Sequence, residues 1–208
     1  MVLTDTQIER YSRQIIVPGV GGRAQERLLA SRVAIVAAPA DAAGALAYLS
    51  GAGVGRIVVH PVGDRAWYGT LVERIGDLNP DVSVVVATDD SSGASDLMLT
   101  LIGDAPAAEA AARLAREHRC GAAIIARLDT PGRIALLPAP PPCPLCADAD
   151  LLNARGERAA NAGVIAMVAV AEAFKLLAGF AGQQLGAALI EFDGYASTAR
   201  ALGRRRLR

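Results

Sequence analysis

SRVAIVAAPADAAGALAYLSGAGVGRIVVH, residues 31–60, is the stretch whose reading decides the fold. Val33 to Val36 is a short apolar run suited to a buried strand. Residues 41–50 are Ala-rich, with Leu46 and Leu49 on one face, which favours a helix. Gly51, Gly53 and Gly55 punctuate the chain, and residues 56–60 form the next strand. Strand, helix and strand within about 30 residues make the crossover unit of a parallel sheet.

The same alternation continues on both sides. Residues 3–30 read as two short helices around a Val17–Pro18–Gly19 turn, the first capped by Thr4 or Asp5. After a loop at 61–69, a short helix is predicted over 71–78, stopped by Asn79–Pro80. Strands are predicted over 82–88, 97–102 and 122–128, with a loop at 89–95 and a helix over 106–118. Residues 132–137 suit one more strand, antiparallel in one reading, before Pro138 to Pro142 break regular structure. A helix over 163–179 and a last strand over 189–192 complete the pattern. The predicted fold class is therefore α/β: a Rossmann-like, doubly wound, mainly parallel sheet with N-terminal helices. We read residues 1–208 as a single domain, comprising an N-terminal helical arm (1–30), a nucleotide-fold core (31–137), and a crossover with a C-terminal helix and strand (138–208).

Composition narrows the function classes. With 52% hydrophobic and 20% charged residues, the chain can bury a sizeable core and does not resemble a disordered segment. Lys and Arg together number 21, as do Asp and Glu, so no global field favours nucleic acid or an anionic membrane. The polar N-terminus lacks the apolar run of a signal peptide. Glu172 and Lys175 interrupt the longest apolar stretch, which reads as a buried helix and not as a membrane span. Three cysteines without a secretory signal point to a reducing cytoplasm.

Three segments are more specific than the fold: QIERYSRQIIVP (7–18), YLSGAGVGRI (48–57), and GVI (163–165) followed by EAFKLLAG (172–179). In this order they resemble the MoeB/ThiF/HesA family, relatives of ubiquitin-activating enzymes. Cys143 and Cys146 fall where that family places its first zinc-binding cysteine pair. The resemblance covers roughly residues 3–195. It implies a homodimer that binds ATP and Mg²⁺ and adenylates the C-terminus of a ubiquitin-like sulfur carrier, with an N-terminal arginine completing the neighbour's site.

Residue by residue, the expected nucleotide site departs from that pattern. A phosphate-binding turn needs glycines so that backbone amides can approach the anion at a helix N-terminus. Here the matching positions hold Ala37, Pro39, Ala40 and Ala42, and Asp41 adds a negative charge. His60 stands where an acidic residue would meet the ribose hydroxyls. The family segment that carries phosphate-contacting Asn, Arg and Lys side chains is reduced to the short 62–70 connection, in which neither Arg65 nor the nearby Arg74 has telling spacing. Two candidate catalytic residues remain. Arg13 matches the arginine that crosses the dimer and reads otherwise as a surface salt bridge. Asp104 lies near the magnesium-binding aspartate and reads otherwise as a helix N-cap.

Cys143 and Cys146 supply half of a zinc site, and no second pair follows. Cys120 reads as a small buried residue, while His60 and His118 lack motif spacing to the pair. The 148–158 crossover stretch contains no reactive cysteine. The basic tail at 204–208 reads as a solvated terminus.

Three functions are carried forward. The first is a pseudoenzyme, a non-catalytic dimeric binding or scaffolding partner with a degenerate ATP site. The second is a working adenylyltransferase for a ubiquitin-like carrier. The third is a Rossmann protein holding a small non-phosphorylated molecule in the vacated cleft.

Overall fold

The computed structural model describes residues 2–88, 93–117, 119–129, 131–137, 161–179, 188–192 and 197–201. Its centre is an eight-stranded sheet in the order β3-β2-β1-β4-β5-β6-β7-β8. The strands are β1 (Arg32–Ala37), β2 (Arg56–Pro61), β3 (Ser83–Val86), β4 (Ser95–Ile102), β5 (Cys120–Arg127), β6 (Gly132–Leu137), β7 (Ala188–Phe192) and β8 (Ser197–Ala201). The β3-β2-β1-β4-β5 ladders are parallel and the β5-β6-β7-β8 ladders antiparallel. The chain is thus α/β and Rossmann-like, as the alternation of apolar runs predicts. Strand order reverses between β1 and β4, which is where open α/β sheets place ligands beyond the strand ends.

The helices are α1 (Asp5–Arg10), α2 (Ser12–Ile15), α3 (Gly21–Ala30), α4 (Pro39–Gly51), α5 (Arg65–Gly76), α6 (Ala105–Glu117) and α7 (Ala162–Ala178). One sheet face buries Val33, Ile35, Leu97, Leu99, Ile124 and Ile134 under α3, α4, α5 and α7. The other buries Val36, Met98, Ile102, Ala123 and Ile125 under α6. The two sets alternate along each strand, as a sheet covered on both faces requires. Leu46 and Leu49 of α4 are fully buried, and each such side chain stabilises the fold by about 1.5–3 kcal/mol.

Helix α7 buries Ala162, Ala166, Ala169 and Ala173 along one side, so the small residues let it lie close to the sheet. It ends at Gly179 with φ 66°, the left-handed C-terminal cap that glycine adopts without a Cβ penalty. Arg27 Nη1 donates to the carbonyls of Ala178 (3.3 Å) and Gly179 (3.4 Å), satisfying helix-end acceptors. Among the described residues, no helix is long and apolar enough to cross a membrane.

The structure corrects three boundaries. The N-terminal region forms three helices instead of two, because the chain breaks at Tyr11 and again at the Val17–Val20 turn. Thr4, not Asp5, caps α1, in a capping box with Gln7. The helix predicted over 71–78 instead starts at Arg65 and ends at Gly76. Asp64 supplies its N-cap by accepting the Ala66 N–H at 2.9 Å, so the expected 61–69 loop is partly helical. Strand β8 was not expected from the sequence.

Candidate functional site

The β1–α4 junction is very short. Ala37 ends β1, Ala38 alone is non-helical, and Pro39 opens α4 at its first turn. Ala37 and Ala42 are fully buried, Asp41 is 6% exposed, and Ala40 is exposed. The fixed φ of proline suits a first helical position, and its missing N–H removes one of the donors that a helix N-terminus offers an anion. The alanine methyls at 37 and 42 are packed into the core, not directed to an open cradle.

A residue that the sequence did not single out sits beneath this junction. Tyr68, on α5, is fully buried. Its hydroxyl donates to the Ala37 carbonyl at 2.5 Å and accepts the Val62 N–H at 3.2 Å, with the Val62 carbonyl 3.3 Å away. One phenol therefore joins the carboxyl end of β1 to the segment leaving β2. Burial pushes the Tyr68 hydroxyl pKa up; the Val62 amide pulls it down, and the charges of Asp104 and Asp41 raise it further. Trp67 stands edge-on to the Tyr68 ring, with centroids 5.5 Å apart at 84°. The available signal was the Trp67–Tyr68 pair behind Asp64, hidden by reading 61–69 as a loop.

The other candidates are placed as follows. Asp104 caps α6, its Oδ1 accepting the Ala107 N–H at 2.8 Å. His60 pairs across the sheet with Val36 and is half-buried. Arg65 donates from Nη2 to the Ala87 carbonyl, and Arg74 is exposed. Arg13 is exposed and makes no hydrogen bond or ion pair among the described residues. Arg13 lies on the N-terminal arm, whereas Asp104 and Asp41 both act on the Tyr68 hydroxyl. Cys143, Cys146 and His118 lie outside the described residues. Cys120 is half-buried, and burial raises its thiol pKa. Among the described residues, no group of three or more His, Cys, Asp or Glu is placed to hold a metal.

The segments 7–18 and 48–57 form a different kind of site together with Asn79 and Asp81. Tyr11, 3% exposed between α1 and α2, donates its hydroxyl to Asp81 Oδ2 (3.2 Å) and accepts from Asn79 Nδ2 (2.9 Å). Asn79 Nδ2 also donates to the Ser50 carbonyl at 2.7 Å, at the end of α4. Gln7 Nε2 donates to Asp81 Oδ1 (3.2 Å), and Arg10 Nε lies 3.1 Å from Asp81 Oδ2. Gln14 and Gln25 each donate to the Ala52 carbonyl at 3.1 Å. Gly53 has φ 85°, and a Cβ there would lie 2.6 Å from Gln25 Nε2 and 2.7 Å from the Tyr11 ring. At Gly55 a Cβ would lie 1.8 Å from the Leu29 carbonyl oxygen. These glycines are needed because the protein's own atoms occupy the space.

A groove of about 710 Å³ runs beside this socket, lined by Gln14 of α2, Ala47 and Tyr48 of α4, and Met167, Val170 and Phe174 of α7 among others. Tyr48 is 67% exposed and Val164 57%. The only charged side chain of α4, Asp41, is buried, so the outer face of this helix carries no charge. Such a face is unusual for a helix left to solvent.

No family model matches the chain. HesA (vegetative) of Trichormus variabilis is 36% identical over 100 residues, covering 39% of this chain and 38% of that protein. SAMP-activating enzyme E1 of Haloferax volcanii is 51% identical over 57 residues, covering 27% and 21%. The sulfur carrier protein adenylyltransferase of Thermus thermophilus is 38% identical over 79 residues, covering 38% and 29%. Over these stretches the chain is similar in sequence to MoeB/ThiF/HesA-type proteins. Each match spans less than two-fifths of the relative's length. The fold also superimposes on E. coli MccB solved with ATP, at a TM-score of 0.71 and 15% identity over 98% of this chain and 74% of that one.

Proposed function

We propose that this ThiF/MoeB-like chain is a pseudoenzyme: a non-catalytic, dimeric binding or scaffolding partner whose ATP site is degenerate. The observation that carries the reading is the β1–α4 junction. One non-helical alanine and a proline stand where a glycine-rich turn would present amides, and Tyr68 ties off the Ala37 carbonyl from below. The residues present fit a triphosphate poorly. A buried carboxylate, Asp41, lies in the first turn of α4, where its negative charge opposes a bound triphosphate. Asp104 is engaged as a helix cap, which leaves it ill-placed to hold Mg²⁺. Carrier adenylation needs positioning and charge neutralisation together, and Arg13 with Asp104 does not supply both. A small non-phosphorylated ligand at this spot is disfavoured by the buried Tyr68 ring.

The dimer in this reading uses the α4/α7 face, where the groove and the uncharged outer side of α4 lie. Sedimentation of the purified chain should give a dimer. Replacing Ala47 with Glu should yield a folded monomer, and a monomeric parent would refute the dimer. Zinc bound by Cys143 and Cys146 belongs to this reading only if a second chain or another segment completes the ligand set.

A second reading is favoured by the relatives' names and by the exposed Arg13: an ATP-dependent adenylyltransferase acting on the C-terminus of a ubiquitin-like sulfur carrier. Carrier-dependent exchange of pyrophosphate into ATP tests it. Exchange lost in Arg13→Ala would establish this reading and remove the first.

A further inference from the structure

The N-terminal arm is attached in an unusual way. Neither α1 nor α2 buries a residue of its own, so these helices contribute almost nothing to the core. The attachment is polar and converges on few atoms. Gln7, Arg10 and Tyr11 all reach one carboxylate, Asp81. Tyr11 also bonds Asn79, and Gln14 bonds the Ala52 carbonyl. The Tyr11 ring is inserted into a socket floored by Gly53.

Behind the arm the backbone turns through Gly19 (φ 89°) and Gly21 (φ 68°), and a Cβ added at Gly21 would meet nothing within 4 Å. Pro18 and Gly19 are exposed, while Val20, at 8% exposed, marks where burial resumes. A polar clasp at one end and an uncrowded glycine pair at the other define a rigid element that can swing.

We propose that residues 2–18 form a hinged latch, clasped by Tyr11, Asn79 and Asp81 and pivoting at the Gly19–Gly21 turn, that opens as a unit while Val20 and the sheet stay packed. The clasp releases because it consists of hydrogen bonds and one ion pair that water can replace. When closed, the arm places Gln14 in the wall of the α4/α7 groove. When open, it removes that wall and uncovers the Gly53 socket. The latch thereby sets the length of the apolar groove, whatever the fate of the nucleotide site.

Hydrogen exchange read by mass spectrometry on the whole chain tests this, because local opening is seen separately from global unfolding. Tyr11→Phe keeps the ring in the socket and removes both hydroxyl bonds. Exchange at residues 5–16 should rise roughly tenfold, with the amides of β1 and β4 unchanged. Gly21→Ala adds only backbone strain at a left-handed position, so it should give the same arm-confined pattern from the hinge end. Unchanged arm exchange in Tyr11→Phe would overturn the latch. So would a parallel rise across β1 and β4 in either variant, since the arm would then belong to the core's cooperative unit.

Discussion

The Gly53–Gly55 socket and the β1–α4 junction lie at opposite ends of α4, and both are places where backbone must come close to something. In the socket that something is internal: the Tyr11 ring, the Gln25 amide and the Leu29 carbonyl fill the space a Cβ would need. At the junction the close neighbour expected from the family pattern is an external anion. There the chain carries methyl groups and a proline; the methyls of Ala37 and Ala42 are buried in the core, Pro39 is half-buried and Ala40 is exposed. A glycine required by the protein's own packing is tied to folding. A glycine required by a ligand can be replaced once the ligand contributes nothing. In the proposed reading, the difference separates the packing framework of this chain from its nucleotide chemistry.

The largest effect should come from attacking the socket. Gly55→Ala sets a methyl against the Leu29 carbonyl and should cost about 4 kcal/mol or more, or prevent folding, read by urea denaturation. A cost under about 1 kcal/mol would mean that the α3–β2 junction yields easily and the contrast with the turn is weaker than described.

Next comes the tie beneath the junction. Tyr68→Phe leaves the Ala37 carbonyl and the Val62 amide without their shared partner and should cost about 1–3 kcal/mol. Burial raises the Tyr68 hydroxyl above its usual value of about 10, and Tyr11 shifts in the same direction for the same leading cause. Folding therefore favours the neutral phenols. Their contribution is complete below pH about 10 and is lost as pH rises through the folded values. Urea midpoints measured from pH 8 to 11 should fall at the alkaline end, and less steeply in Tyr68→Phe.

The smallest effect belongs to the turn itself. Restoring glycine at Ala40 and Ala42 should cost about 0.5–1 kcal/mol per residue through helix propensity, measured by thermal unfolding. It should bring no ATP binding, because Pro39, Asp41 and Tyr68 remain. Gained binding would shift the blame for the altered site onto two methyl groups.

Much of the fold was legible in residues 31–60, because strands buried on both faces read as continuous apolar runs and their crossover helix carries Leu46 and Leu49. The edge was less so. β8 (Ser197–Ala201) is a polar-containing outer strand whose pairing with β7 no local pattern announces. The sequence shows no glycine from Ala37 to Ala42, and the structure places these residues where β1 ends and α4 opens. Tyr68 was not legible, since Asp64 capping moved the start of α5 by six residues and turned an apparent loop into a helix. Asn79 was read, with Pro80, as a helix stop, and Asp81 fell between that stop and the strand predicted over 82–88. Their role as the arm's clasp rests on contacts 68 to 74 residues distant in sequence, which no spacing rule captures.

Isothermal titration calorimetry of ATP with Mg²⁺ into the intact chain tests the central claim most directly. The account predicts no saturable heat up to millimolar nucleotide, with parent and Arg13→Ala indistinguishable. Saturable binding in the micromolar range would contradict it and return the β1–α4 junction to service as a nucleotide site.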